Sequence, residues 1–249
     1  MDQKNILITG ASRGIGAATA LLAANKGYKV CINYQRNHQA ATEIQNKIKH
    51  QGGHVCLLQA DVSDEQQVTA MFQQLDEEVG PITALVNNAG ILETQTTLEH
   101  IDATRLQRIF QTNVFGSFLC AREAVKRMST QRGGNGGSIV NLSSIAARLG
   151  APMEYIDYAA SKGAIDSMTI GLAKEVADQG IRVNAVRPGI IDTEMHASGG
   201  EPGRVERLAS SIPIQRGGNA DEVAAAILWL LSDEASYTTG SFIDVSGGR

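Results

Sequence analysis

The chain has 249 residues, of which 43% are hydrophobic, and its net charge is −4. A chain of this length and apolar content can bury the core of one large domain without disulfides or metal ions, and the sequence predicts no second domain. The negative charge argues against nucleic acid or an anionic membrane as a partner, because both attract basic surfaces.

Strand and helix patterns alternate along the whole chain. The predicted strands span residues 5–8, 28–34, 54–58, 82–87, 138–142, 181–186 and 242–245. The predicted helices span residues 15–26, 38–50, 64–78, 102–128, 155–179 and 221–231. This alternation predicts an α/β fold with a doubly wound parallel sheet of about seven strands and helices on both faces. Residues 190–218 show no regular pattern, and their paired glycines suggest the hinges of a substrate lid.

The sequence also predicts a cytoplasmic protein without a metal site. No apolar run approaches the roughly 20 residues that span a bilayer, and the segment Met1–Lys4 leads into a strand without a signal-peptide pattern. The cysteines Cys31, Cys56 and Cys120 are widely spaced in apolar segments, which indicates small buried side chains in a reducing compartment. The histidines are scattered and lack the spacing of metal ligands.

The turn between the first strand and the first helix indicates a dinucleotide site. Its sequence is Thr9-Gly10-Ala11-Ser12-Arg13-Gly14-Ile15-Gly16. Glycines there let the backbone approach a pyrophosphate, whose charge would lie at the helix N-terminus. The spacing Gly-x-x-x-Gly-x-Gly differs from the general fingerprint, and a plain tight turn is the alternative.

Polar residues follow the third and fourth predicted strands. Asp61-Val62 follows the third strand, and Asn87-Asn88-Ala89-Gly90 follows the fourth. Ligands of parallel α/β sheets bind beyond the carboxyl ends of the strands, so we expect both turns to line one cleft with the glycine turn. Ordinary turn residues are the alternative interpretation.

Tyr158 and Lys162 are four residues apart in a helical pattern, so their side chains share one face. A lysine ammonium beside a phenol favours the phenolate, and moving its pKa from near 10 to neutral takes roughly 4 kcal/mol. The two residues are therefore a candidate proton-transfer pair, with a solvated helix face as the alternative. Asn113 lies within an apolar helix face, so its amide is either a structural contact or part of a polar network that reaches the site.

The end of the second strand bears on cofactor choice. NAD-selective sites place an acid there, about twenty residues after the glycines, to bind the ribose 2′-hydroxyl and repel a 2′-phosphate. Residues 33–37 contain no acid, and Arg13 would oppose the helix dipole unless an anion were bound. The sequence therefore predicts NADP(H) over NAD(H), with Arg13 and Arg36 at the 2′-phosphate and Asn33 hydrogen-bonded to it.

These motifs, together with Ser144 and Pro188-Gly189, follow one another in the order found in classical short-chain dehydrogenases/reductases, which the chain resembles over its whole length. The resemblance implies a Rossmann fold and hydride transfer between a nicotinamide cofactor and a small carbonyl or alcohol substrate. It implies that Tyr158 is the general acid/base and that Lys162 lowers its pKa and holds the nicotinamide ribose. It further implies that Ser144 orients the substrate oxygen and that Asn113 supports a proton-relay water.

The same resemblance implies the remaining cofactor contacts. Asp61 and Val62 would flank the adenine, Asn88 would lie near the ribose, and Ile191 with Thr193 would receive the carboxamide. Ser144 lies one residue further from Tyr158 than is usual, so Ser143 is retained as the alternative.

The substrate and the assembly are predicted more coarsely. The chain is similar to bacterial 3-oxoacyl-carrier-protein reductases and glucose-1-dehydrogenase-like members. The carrier reductases hold their carrier protein with two arginines, and this chain has Asn135 and Gln179 at the corresponding positions. A free small-molecule carbonyl or alcohol is therefore favoured, with a carrier reductase and a non-catalytic dinucleotide sensor as alternatives. The apolar helices at 110–119 and 159–172, together with the resemblance, predict a homotetramer, whereas packing of those helices against the sheet is the alternative.

Overall fold

A parallel seven-stranded sheet forms the centre of this computed structural model, which describes residues 4–249 and leaves Met1–Gln3 outside the described residues. The strands are β1 (Asn5–Ile8), β2 (Lys29–Tyr34), β3 (Val55–Gln59), β4 (Ala84–Asn87), β5 (Gly137–Leu142), β6 (Ile181–Pro188), β7 (Ile191–Asp192), β8 (Gly218–Asn219) and β9 (Phe242–Val245). The helices are α1 (Gly14–Asn25), α2 (His38–His50), α3 (Glu65–Glu78), α4 (Ala103–Phe110), α5 (Gly116–Met128), α6 (Ala146–Leu149), α7 (Ile156–Glu175), α8 (Met195–Ser198), α9 (Arg204–Leu208) and α10 (Ala220–Leu231).

The order of the sheet is β3-β2-β1-β4-β5-β6-β9, and every neighbouring pair in it is parallel. The predicted doubly wound sheet is therefore confirmed. The chain winds outward in one direction from β1 and in the other from β4, so these two neighbours form the switch point of the sheet. A crevice opens beyond their carboxyl ends, where such folds bind ligands.

Side-chain alternation along β1 separates two cores. Ile6 and Ile8 belong to the core beneath α1, α2 and α10, whereas Leu7 belongs to the core beneath α3, α5 and α7. All three side chains have no exposed surface, as expected for a central strand that is covered on both faces. This double covering gives the crevice a rigid floor.

The structure differs from the predicted elements in two places. The helix expected at 102–128 contains a π-helical turn, Gln111–Phe115, between α4 and α5. The segment 190–218 is not irregular throughout, because β7 pairs with β8 and the short helices α8 and α9 lie between them. Hydrophobic periodicity could not reveal two-residue strands, which are set by pairing between distant residues.

The cysteines have different environments. Cys31 and Cys120 are buried, whereas Cys56 is partly exposed, and all three are free thiols. Cys31 and Cys56 are direct partners in the register of β2 and β3. Within residues 4–249, no cluster of three or more His, Cys, Asp or Glu side chains could hold a metal ion, and no helix is long and apolar enough to cross a bilayer.

Two glycines give a matched test of this packing. A Cβ at Gly116, the first residue of α5, would lie 2.8 Å from Val62 Cγ2, whereas a Cβ at Gly171 in α7 would meet no described atom within 4 Å. We expect Gly116→Ala to lower the free energy of unfolding by about 1–3 kcal/mol through overpacking. Gly171→Ala should raise it by about 0.5–1 kcal/mol, because alanine favours the helix.

Urea unfolding at one fixed protein concentration measures both variants. Equal changes in the two variants would contradict the packing at Gly116.

Candidate active site

The glycine turn between β1 and α1 has the geometry of an anion site. Gly10 and Gly14 have φ angles of +62° and +54°, which glycine adopts readily. A Cβ at Gly16 would lie 2.5 Å from Asn88 Nδ2 and 2.8 Å from the Gly10 carbonyl oxygen, so any larger residue would force the turn apart. No side chain caps α1 at Arg13, and the first backbone N–H groups of this helix stay available to a ligand.

Asn88, directly after β4, holds this turn in place. Its Nδ2 donates to the carbonyl oxygens of Thr9 and Gly10 at 2.8 and 3.1 Å. In return, Thr9 Oγ1 accepts from the backbone amides of Asn88 and Ala89, both at 3.0 Å. The switch point of the sheet is thus cross-linked by hydrogen bonds between β1 and β4.

A cleft extends from the glycine turn over the ends of β2 and β3. It is lined by most of the predicted cofactor residues, namely Gly10, Ser12, Arg13, Gly14, Ile15, Asn33, Arg36, Asp61, Val62, Asn88, Ala89, Gly90 and Thr193. Gly16 lies beneath it. Sequence reasoning missed Gln35, Asn37, Thr112 and Glu194, which line the same cleft.

The charged side chains in this cleft differ in whether they have partners within the protein. Arg13 and Arg36 are exposed, and neither forms an ion pair within residues 4–249. Asp61, in contrast, accepts hydrogen bonds from Gln35 Nε2 and from the amide and hydroxyl of Ser63. The two guanidinium groups are therefore the cations that remain available to an anionic ligand there.

Asn33 has different partners from those predicted. Its Nδ2 donates to the carbonyl oxygens of Leu58 and Ala60 at 3.2 and 3.1 Å, and its Oδ1 accepts from the Gly10 amide at 3.1 Å. Both amide protons are used within the protein, and the side chain is buried. The predicted hydrogen bond from Asn33 to a phosphate is therefore wrong for this arrangement, and Asn33 instead ties β2 and β3 to the glycine turn.

A second cavity adjoins the cleft and contains the predicted proton-transfer pair. Its lining includes Leu92, Ser143, Ser144, Leu149, Tyr155, Tyr158, Lys162, Pro188, Gly189, Ile190, Ile191, Met195, His196, Arg204 and Arg249. Ile15, Asn88, Thr193 and Met195 line both cavities, so the two are continuous. The arrangement can hold an extended ligand in the cleft and a second, smaller molecule beside Tyr158.

The Tyr158 hydroxyl is buried and has Ser144 as its hydrogen-bond partner. Burial raises the pKa of Tyr158 to about 12, while the hydrogen bond with Ser144 acts in the opposite direction. The other candidate, Ser143, donates to the Lys162 carbonyl oxygen at 3.2 Å and is committed to the backbone of α7. Both serines line the cavity, and Ser144 is the one whose hydroxyl interacts with the phenol.

The Lys162 ammonium group lies near the Tyr158 ring and is hydrogen-bonded to a backbone carbonyl oxygen. Its Nζ is 5.6 Å from the ring centroid of Tyr158 and donates to the Leu142 carbonyl oxygen at 2.7 Å. Burial lowers the pKa of Lys162 to about 8, against the influence of Asp166. Burial is the largest influence on the Tyr158 pKa and Ser144 is the side chain that acts against it, so the lowering of this pKa by Lys162 stays a prediction.

Asn113, in the π-helical turn, is fully buried and lines neither cavity. Its Oδ1 accepts from the Ile91 amide at 2.8 Å, and its Nδ2 donates to the Ile91 carbonyl oxygen and to Ser161 Oγ, both at 3.1 Å. Ser161 in turn donates to the Tyr158 carbonyl oxygen at 2.7 Å. The Asn113 side chain therefore makes a structural contact with Ile91. Through Ser161 its hydrogen bonds also extend to the helix turn that carries Tyr158.

The far wall of the second cavity is an ionic cluster that sequence reasoning missed. Arg204, in α9, donates to Glu154 at 2.5 Å and to Glu201 at 2.9 Å, and its guanidinium lies 5.0 Å from the ring centroid of Tyr155. His196 contacts the Ile191 carbonyl oxygen through Nε2 at 2.9 Å. No local sequence pattern connects Glu154, in the loop before Tyr158, with an arginine 50 residues away.

Comparisons with known proteins identify relatives over almost the whole chain. A family model described as enoyl-(acyl carrier protein) reductase matches residues 10–249. The uncharacterized oxidoreductase YgfF of Escherichia coli is 65% identical over 243 residues, covering 98% of each chain. The 3-oxoacyl-[acyl-carrier-protein] reductase FabG of Staphylococcus aureus is 36% identical, with 98% of this chain and 97% of the relative covered. A crystal structure of a short-chain type dehydrogenase/reductase from Mycobacterium marinum superposes with a TM-score of 0.92 at 35% identity, covering 98% of this chain and 94% of the other.

Proposed function

Since the chain belongs to the classical short-chain dehydrogenase/reductase family and is an oxidoreductase of CH–OH/C=O groups with a nicotinamide cofactor, we propose that it reduces a small carbonyl compound with NADPH. One observation carries this proposal: Tyr158 and Ser144 line a cavity that is continuous with the cleft beside the glycine turn. A substrate oxygen between the two hydroxyls would lie next to a cofactor bound along the cleft.

Tyr158 acts in this proposal as the proton donor. A carbonyl that receives hydride becomes an alkoxide, which is a far stronger base than a phenolate. A phenol whose pKa is about 12 is fully protonated at neutral pH and can still protonate that alkoxide. A protonated phenol beside the forming alkoxide therefore supports the role of Tyr158 as proton donor. Ser144 holds the substrate oxygen, and Lys162 and Asn113 fix the surroundings of the phenol.

The residues present fit a nicotinamide dinucleotide. The uncapped start of α1 and the backbone of the glycine turn would hold the pyrophosphate, with Asp61 and Val62 beside the adenine and Asn88 near a ribose. Lys162, Ile191 and Thr193 lie along the wall near the nicotinamide end in this proposal. When bound, the cofactor supplies the hydride.

The preference for NADP(H) rests on Arg13 and Arg36. Both are exposed in the cleft beyond β2, and neither is neutralised by a carboxylate in the part of the chain that the structure describes. A guanidinium binds phosphate oxygens through charge-assisted, often paired hydrogen bonds. We assign the 2′-phosphate to these two arginines, while Asn33 acts indirectly through the conformation of the glycine turn.

A free small molecule is the proposed substrate. The relative FabG is named for an acyl-carrier substrate, but Asn135 and Gln179 provide no cation to an acidic carrier, and Gln179 Oε1 is engaged by Ser129 at 2.7 Å. The cavity wall is mainly apolar, and Arg204 is already paired with two carboxylates. The segment 190–218 forms one side of this cavity, and we propose it as the substrate lid. We also propose that residues 1–249 form a single domain.

The assembly proposed is a homotetramer in the cytoplasm. Phe115, the last residue of the π-helical turn, and Phe118 in the first turn of α5 are 53% and 49% exposed, and Ile170 on α7 is 41% exposed. Their exposed surface supports assembly over packing against the sheet for these side chains. Burial of such aromatic surface between subunits would stabilise the assembly.

The reaction is tested with a panel of carbonyl compounds and NADPH, with consumption of the cofactor followed by its absorbance. We expect turnover of at least one free carbonyl, and Tyr158→Phe should lower kcat by about 100-fold or more while the cofactor Kd stays unchanged. The panel includes a 3-oxoacyl carrier protein and its free thioester analogue. A many-fold preference for the carrier form would favour the carrier reductase, and full activity of Tyr158→Phe would reject Tyr158 as the proton donor.

Cofactor selectivity is tested by kcat/KM for NADPH and NADH. The wild-type protein should prefer NADPH, and Arg13→Ala and Arg36→Ala should each reduce that preference about tenfold through loss of phosphate contacts. Arg132→Ala, an exposed arginine outside the cleft, is the control. A wild-type preference for NADH, or unchanged selectivity in both variants, would overturn the assignment.

Assembly is tested by sedimentation velocity at micromolar concentration. We expect a tetramer, and a Phe115→Ser/Phe118→Ser variant should sediment as a smaller species because the apolar contact is lost. Leu98→Ser, at a residue that is 67% exposed elsewhere, should leave the assembly unchanged. A wild-type monomer would refute the proposal.

A further inference from the structure

A buried ion pair lies one residue before Tyr158. Asp157 is the second residue of α7, and its side chain is 0% exposed, while the side chain of Arg105 in α4 is 10% exposed. Arg105 Nε donates to Asp157 Oδ2 at 2.5 Å, and its Nη2 donates to Oδ1 at 3.4 Å. Buried opposite charges are tolerated only with good geometry and further hydrogen bonds, so a forked pair of this kind restricts how the two helices lie.

Asp157 also organises the start of α7. Its Oδ1 accepts from the Tyr158 backbone amide at 2.9 Å, and no side chain caps the helix at Tyr155. The first amides of a helix lack partners within it, and a carboxylate in the first turn interacts favourably with the helix dipole. Asp157 therefore fixes the backbone from which the Tyr158 side chain projects.

Arg105 extends this constraint to the substrate cavity. Its Nη1 donates to the Thr94 carbonyl oxygen at 2.7 Å, two residues beyond Leu92 in the cavity wall. Its own backbone amide donates to Asp102, which caps α4. One guanidinium thus joins α4, the segment after β4 and the first turn of α7.

We propose that Arg105 and Asp157 are positioning residues for Tyr158, which set the orientation of the first turn of α7 relative to the wall of the substrate cavity. This inference rests on the proposed role of Tyr158 as proton donor. Neither residue lines the cavity, so both act through Tyr158 and not on the substrate. The approach of the phenol hydroxyl to the substrate oxygen depends on this orientation, and proton transfer is sensitive to small displacements.

A change in the charge of this pair should also change the electrostatic potential at the phenol, because Asp157 contacts the Tyr158 backbone. Loss of the Arg105 charge leaves an unpaired carboxylate, which disfavours the phenolate, whereas loss of the Asp157 charge leaves an unpaired guanidinium, which favours it. The other charged or titratable groups around Tyr158 stay the same in both variants, namely Lys162 on α7, Glu154 in the preceding loop, His196 and Arg204 in segment 190–218, and Arg249. A purely structural contact would not shift the titration of Tyr158 in opposite directions.

Four proteins provide the test: the wild type, Arg105→Met, Asp157→Asn and the double variant. Arg105→Met retains the length of the side chain, and Asp157→Asn retains the acceptor for the Tyr158 amide. In Arg105→Met we expect kcat to fall about tenfold or more at unchanged cofactor Kd, and the pH midpoint of kcat for alcohol oxidation to rise by about half a unit. In Asp157→Asn the midpoint should fall, and in the double variant it should return towards the wild-type value while kcat stays low.

Arg105→Lys keeps the measurement informative if Arg105→Met fails to fold. Lysine retains the charge but neither the fork nor the simultaneous contact with Thr94, so kcat should fall with an unchanged pH midpoint. Wild-type kcat in Arg105→Lys, or midpoints that move in the same direction in Arg105→Met and Asp157→Asn, would overturn the inference.

A readout without turnover separates this inference from the proposed function. The ring carbon Cζ of ¹³C-labelled Tyr158, identified by comparison with Tyr158→Phe, reports ionisation of the phenol by NMR. Opposite shifts of this titration in a protein without carbonyl turnover would support the pair's action on Tyr158 and reject the proposed function. Turnover in the wild type with no shift in either variant would reject the inference and leave the proposed function standing.

Discussion

The hydrogen bonds between Asn88 and the glycine turn are the constraint on which the site depends. They join the ends of β1 and β4, the two strands from which the chain winds outward in opposite directions. Because Gly16 leaves space for the Asn88 amide, the turn can lie against β4 and still direct the first amides of α1 outward. Asn33 makes the corresponding connection from β2 through the Gly10 amide. The cleft is thus formed by backbone held from two sides, before any ligand contributes.

The second cavity is organised on the same principle from α7. Asn113 and Ser161 connect the segment after β4 with the backbone of Tyr158, and Lys162 connects α7 with the end of β5. Each of these polar groups is buried and has a partner, which a low-dielectric interior requires. The backbone of Tyr158 is consequently held by fixed hydrogen bonds, and burial raises the pKa of its hydroxyl.

The sequence sufficed for the sheet, most helix limits and the residues that meet at its carboxyl edge. Alternating patterns carried the fold, because strands covered on both faces and amphipathic helices have different periodicities. What it could not provide were contacts between distant residues: the carbonyl partners of Asn33, the bond from Lys162 to Leu142, and the pairing of Arg204 with Glu154. The burial of Tyr158 belongs with these contacts, since spacing along a helix gives the distance to an ammonium group but not the degree of burial.

The pairing of β7 with β8 closes the chain between these two strands into one segment. Ile191 and Asp192 are register partners of Gly218 and Asn219, so the segment between them begins and ends at the same place on the protein. A chain segment closed in this way can open and reclose as a cooperative unit without loss of the central sheet. Its local free energy of opening is therefore separable from global stability, and the residues within it can vary in length at a small cost in loop-closure entropy. Such a segment allows one wall of the cavity beside Tyr158 to change while the glycine turn and the central sheet are preserved.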